Sequence, residues 1–177
     1  MNLDKLYMID QVPGFSNQIS RLVSMMNYSR WTTLESVKGL STEQLDFLLD
    51  SDSNSIGALL KHIMAVEYAY YLNTIEKREL SEEERQEWGP ALELGERGRR
   101  EIKNNPLEYY IELMNEIREK TLKAFSELTD EWLDEYELEP HLGNSPVNNY
   151  FKWFHVFEDE INHRGQIRII RKRIGNG

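Results

Sequence analysis

The sequence predicts an all-α protein, a four-helix bundle with a long connection between its second and third main helices. Three observations carry this prediction. Four long stretches place apolar residues at helical spacing. Capping or breaking residues bracket each of them. No two remaining segments make a convincing pair of strands. At 177 residues the chain is expected to form one domain, residues 1–177, with enough length to bury a substantial core.

Residues 1–12 read as an irregular lead, punctuated by Pro13-Gly14. An amphipathic run follows to about Lys38, with Phe15, Ile19, Leu22, Val23, Met26, Trp31 and Leu34 near helical spacing. Gly39 stands where a C-terminal cap is expected. The segment from Leu40 to Leu45 is a connector opening on a helical turn, capped by Ser41 or Thr42. A polar stretch, Ser51 to Ser55, caps the second main helix, which runs to about Lys77. Ile56, Leu59, Leu60, Ile63 and Tyr70 fill one arc of it. Glu67 falls inside that arc, where an unpaired carboxylate is unfavourable, and His62 sits on its flank.

From Glu76 to Asn105 the chain is strongly charged and forms the long connection, with a short helix or two and Trp88 as its apolar anchor. It reads as a solvated crossover. The sharper alternative is a lid over a site, since long loops in compact domains are often functional. Asn105-Pro106 opens the third long helix, to about Leu128, burying Tyr110, Leu113, Ile117, Leu122, Phe125 and Leu128. Thr129 to Leu133 is a tight connector, and Glu135 to Gly143 an extended segment. Asn144-Ser145-Pro146 then starts the last helix, Ser145 to about Ile174.

Composition narrows the function classes. Hydrophobic residues at 40% and charged residues at 29% match an ordinary globular protein. No apolar window is long enough for a membrane span, and the N-terminus lacks the features of a signal peptide, so a cytoplasmic location is expected. The absence of cysteine excludes disulfides, thiolate catalysis and thiolate metal ligation. A net charge of −10 argues against nonspecific binding to nucleic acid or anionic membrane. The basic run Arg168 to Arg173 is read as complementing a helix C-terminus.

The last helix holds the candidate site. His155, Asp159 and His163 lie at about 0°, 40° and 80° around its axis, and Gln166 returns to about 20°. The same helix carries Phe151, Trp153, Phe154, Val156, Phe157 and Ile161, so it is expected to be central. A polar stripe on a central helix must be paired or face a cleft. Asp159 and His163, four apart, can approach one ion. His155 lies about 12 Å from His163 along the axis and is not expected to share it. A third ligand must come from another helix, and His62 is the one histidine on a different long helix. His141 falls in a loop and is not placed.

Two segments carry a resemblance. Ser55-Ile-Gly-Ala-Leu-Leu-Lys-His62-Ile-Met-Ala-Val-Glu67 and, about 90 residues on, His163-Arg-Gly-Gln166-Ile resemble the DinB/YfiT superfamily, and element order agrees over most of the chain. The resemblance implies a DinB/YfiT-like four-helix bundle and one divalent metal ion (zinc, nickel, iron or manganese). By position the ligands would be His62, Asp159 and His163, with Glu67, His155 and Gln166 as partners behind them. The family's usual pattern has histidine where Asp159 stands. Relatives include thiol-dependent transferases, so the resemblance also implies a low-molecular-weight thiol cosubstrate and a homodimer. The expected function is activation of a thiol or water for transfer or hydrolysis. The alternative is a non-catalytic dimeric bundle, acting as a binding or stress-related protein, in which His62, Glu67, Asp159 and His163 form a hydrogen-bonded network.

Overall fold

The computed structural model describes residues 5–139 and 142–174, so His141 lies outside the described residues. Four long helices make the bundle: α1 (Asn17–Val37), α3 (Ile56–Tyr71), α6 (Leu107–Phe125) and α7 (Asn149–Ile174). The short α2 (Thr42–Leu45) follows α1. The long connection holds α4 (Glu82–Glu93) and α5 (Gly95–Glu101). Start signals act as chemistry requires: the Ser41, Ser55 and Ser81 hydroxyls each accept a first-turn N–H of α2, α3 and α4. Gly39 adopts a left-handed φ of 76° just beyond α1.

Two boundaries differ from the sequence reading. The second helix leaves α-geometry at Tyr71 and ends in a π-helical turn, Leu72–Glu76, closed by Lys77 at φ 53°. Ser145 to Asn148 is not helical. It forms strand β2, antiparallel to β1 (Tyr136–Glu139), with Tyr136 opposite Asn148 and Glu139 opposite Ser145. The strand pairing that the sequence reading lacked is therefore this short hairpin. Pro146 has no N–H to lose in a two-stranded edge, and Asn148 accepts the Phe151 N–H as α7 begins.

Contacts fix the helix directions. Arg30 meets Glu160, and Arg171 reaches the carbonyl oxygens of Ser36 and Lys38, so α1 and α7 run parallel. Gly57 faces Tyr110 and Glu67 faces Arg118, so α3 and α6 run parallel too. A Cβ at Gly57 would stand 2.5 Å from the Tyr110 hydroxyl, which makes glycine the residue for this approach. Parallel neighbours cannot be joined by a tight turn, and the α4–α5 connection is the return path. The basic C-terminal run also finds its place here: Arg171 donates to the carbonyls ending α1, a neighbour's terminus rather than its own.

The apolar interior has two halves. One contains Leu59, Ile63, Tyr110, Met114, Ile167 and Ile170; the other contains Ile19, Met26, Phe125, Trp132, Trp153 and Phe157. Each long helix gives one charge to a buried layer, and α7 buries a second charge, Lys152, outside that layer. Arg30 donates to Glu67 Oε2 (2.9 Å), Glu160 Oε1 (3.1 Å) and the Met114 carbonyl (3.1 Å). Arg118 grips Glu67 with Nε–Oε1 at 2.8 Å and Nη2–Oε2 at 3.0 Å, and its Nη2 lies 3.9 Å from Glu160 Oε2. Two cations and two anions balance. Burial pushes the Glu67 carboxyl up, but Arg118 and Arg30 outweigh it and bring it from 4.5 down to about 2. Not all of α7 is central, as its composition suggested: Phe151, Phe154, Ile161 and Ile169 remain exposed.

This layer yields a stability prediction. Glu67→Gln leaves two buried guanidinium groups facing one carboxylate and is expected to destabilise the fold by about 3–5 kcal/mol in urea denaturation at pH 7. Because the folded-state value for Glu67 is depressed, its stabilisation is present above pH 4.5 and is lost as pH falls toward 2. The variant should therefore lack that part of the acid-induced loss.

Candidate metal centre

His62 projects from the middle of α3, and Asp159 and His163 from successive turns of α7. The antiparallel course of these helices sets the three side chains opposite one another. His62 Nε2 lies 3.5 Å from Asp159 Oδ2, and His163 Nε2 lies 3.3 Å from Asp159 Oδ1. The two imidazole rings meet edge to face, centroids 4.7 Å apart at 81°. One donor atom from each residue lies within 4.8 Å of the others. A tetrahedral ion with bonds of about 2.0–2.2 Å spaces its donors about 3.3–3.6 Å apart, and each histidine Nε2 stands at about that distance from one or other oxygen of Asp159.

Polar bookkeeping agrees with a cation site. Asp159 Oδ2 and His163 Nδ1 are buried without a hydrogen-bond partner among the described residues, a costly arrangement unless something else engages them. Burial works to raise the Asp159 carboxyl, yet His163 and His62 hold it well below the usual carboxylate range, so it stays an anionic donor. His62 Nδ1 lies 2.7 Å from the Ala91 carbonyl oxygen. A carbonyl only accepts, so Nδ1 carries a proton, and Nε2, directed to Asp159, is the nitrogen that could bind an ion by giving up its own proton. Two imidazoles and one carboxylate would leave a bound ion with a coordination position for a further ligand.

Ala91 comes from the long connection, and the reason its oxygen is free is local. Helix α4 breaks at Leu94 (φ 53°), and the Gly95 N–H that would have reached Ala91 donates to Asn54 Oδ1 at 3.0 Å. The connection thus serves the site directly. Its Glu79, Leu80 and Leu92 also line a cleft of about 560 Å³ that His62 and Asp159 face. Val66, Ala69, Tyr70, Val147 and Phe151 complete an apolar wall, and His155 and Lys152 lie on the same cleft.

The three residues expected behind the ligands stand elsewhere. Glu67 lies five residues after His62, about 140° around the helix, and is committed to Arg30 and Arg118. Gln166 is exposed and makes no hydrogen bond among the described residues. His155 Nδ1 pairs with Glu158 Oε2 at 3.0 Å. The network of His62, Glu67, Asp159 and His163 is therefore two separate systems. Reading the sequence missed the Ala91 carbonyl, which carries no residue-type signal. It also missed Arg30, Arg118 and Glu160, whose signal was available: each is a charge at a position where helical spacing calls for an apolar residue.

The family model described as mycothiol-S-transferase matches residues 21–176, which include every residue of the triad. No curated protein sequence matches the chain.

Metal affinity is expected to follow the identity of residue 159. Asp159→Ala leaves two imidazoles and should weaken zinc binding by at least about 10-fold, while Asp159→His should tighten it. Titration against a competing chromophoric chelator checks this; equal affinity in all three proteins would remove Asp159 from the ligand set.

Proposed function

Because the chain belongs to the mycothiol-S-transferase family, within the DinB/YfiT-like superfamily, we propose that it is a metal-dependent thiol S-transferase. His62, Asp159 and His163 hold one divalent ion. The observation that supports the reading is the convergence of these three side chains, two of which, His62 and Asp159, line a cleft of mixed apolar and polar surface. The chemistry a bound divalent ion supplies at such a site is a lowered pKa for a thiol held against it.

The protein's own groups do the rest. The Ala91 carbonyl fixes the His62 tautomer, so its lone pair is available as a ligand. Val66, Leu80, Leu92, Val147 and Phe151 present apolar surface to the electrophile and reduce water in the cleft. With no cysteine in the chain, the reactive sulfur arrives on the cosubstrate, a low-molecular-weight thiol of the mycothiol kind. Such a thiol belongs to a reducing compartment, and we place the protein in the cytoplasm; no helix among the described residues is long and apolar enough to cross a membrane.

We also propose a homodimer, supported by exposed Tyr7, Ile9 and Ile161, which line one groove with Phe157, and by exposed Phe154 packed edge-on to Phe157. Sedimentation equilibrium should give twice the chain mass of 21.0 kDa; a single species at the chain mass would overturn the dimer.

The test of function combines metal and turnover. Untagged protein should carry one divalent ion per chain, and chelation should lower its melting temperature, because the ligands bridge α3 and α7. The metal-loaded protein should accelerate consumption of mycothiol by a bimane electrophile, and the chelated protein should not. Stoichiometric metal with no acceleration over the range of divalent ions would overturn the transferase reading.

A further inference from the structure

We propose that His155 is a proton-transfer residue of this cleft, held for that role by Glu158 and Asn162. The proposal rests on the thiol-transfer reading above and adds a second working group to its site.

The imidazole sits at the edge of the cleft, its side chain 39% exposed, and is positioned by its neighbours. Glu158 Oε2 lies 3.0 Å from His155 Nδ1, and Glu158 Oε1 accepts from Asn162 Nδ2 at 2.9 Å. An ionised carboxylate only accepts, so Nδ1 bears the proton and Nε2 is left with a lone pair. No described residue hydrogen-bonds Nε2. The ring is parallel to Phe151 (7°, centroids 6.4 Å) and edge-on to Tyr70 (89°, 6.0 Å), which restricts its rotation. His155 lines the same cleft as His62 and Asp159, one helical turn from Asp159.

The other charged groups of the cleft are already engaged or peripheral. Lys152 Nζ is saturated by Asn73 (2.8 Å), Glu137 (3.2 Å) and Glu139 (2.9 Å), which also occupies Glu139. Asp159 faces two imidazoles, and Glu79 is exposed at the rim. His155 is thus the group in the cleft with a basic lone pair to offer.

The step balances without a further reagent. The S–H bond of the thiol breaks, its electron pair stays on sulfur, and the proton passes to His155 Nε2. That sulfur pair forms the new bond to an electrophilic carbon. The electrons of the bond broken at that carbon leave with the departing group, and the proton passes from Nε2 to that group where it is basic or to solvent where it is a halide. A candidate base must come within hydrogen-bond reach of the proton it takes, and such groups contribute about 10²–10⁴-fold.

The test uses zinc-loaded wild type and His155→Gln, with transfer to the bimane electrophile followed over a series of buffer-base concentrations. His155→Gln should bind zinc and mycothiol with affinities within about threefold of wild type and transfer about 10²-fold more slowly. The variant's rate should rise with the concentration of added buffer base, which takes over the proton, while the wild type's should not. Equal transfer rates, or a variant rate independent of buffer base, would overturn the role of His155. Failure of the zinc-loaded wild type to bind mycothiol would instead overturn the thiol-transfer reading beneath it.

Discussion

The bundle depends on its buried charge layer. Arg30, Glu67, Arg118 and Glu160 come one from each long helix, and each is tied to more than one of the others. Isolated charges at such depth would be strongly unfavourable, so the four must meet or the helices cannot pack. Apolar contacts tolerate a helix sliding by one turn more readily than a guanidinium–carboxylate fork does. The layer therefore sets the register of all four helices at once.

That register is what assembles the candidate metal centre. Glu160 points inward to the arginines, and Asp159, the preceding residue, is turned about 100° away toward the cleft. On α3 the same relation holds between Glu67, directed to the layer, and His62, directed to Asp159. Fixing Glu67 against Glu160 through Arg30 brings His62 opposite Asp159 and His163. Structural charges and chemical ones use different faces of the same two helices, so neither set has to compromise its partners.

The parallel pairing of α3 with α6 has a functional consequence as well. It requires a return path, and the α4–α5 connection that provides it also covers one side of the cleft. Its break at Leu94 releases the Ala91 carbonyl that orients His62. On the opposite side the β1–β2 hairpin brings Glu137 and Glu139 onto Lys152 and contributes Val147 to the cleft. Two connecting segments, neither part of the bundle proper, turn a helical surface into a cleft.

What the sequence by itself determined was the helical content, the caps and the angular stripe of His155, Asp159 and His163. Helical periodicity and capping are properties of neighbours a few residues apart, and they are written locally. The triad was legible for the same reason on α7, and His62 stood out as a histidine on another long helix. Glu67 was legible as an anomaly, a carboxylate on an apolar arc, but its partner was misassigned. Arg30 and Arg118 lie 37 and 51 residues away from it, and no local pattern joins charges at that distance. Tertiary structure alone decided which anion met which cation, that residues 145–148 pair as a strand, and that a backbone oxygen holds His62. These depend on helix register and on where α4 breaks, and both are settled by packing between segments remote in sequence.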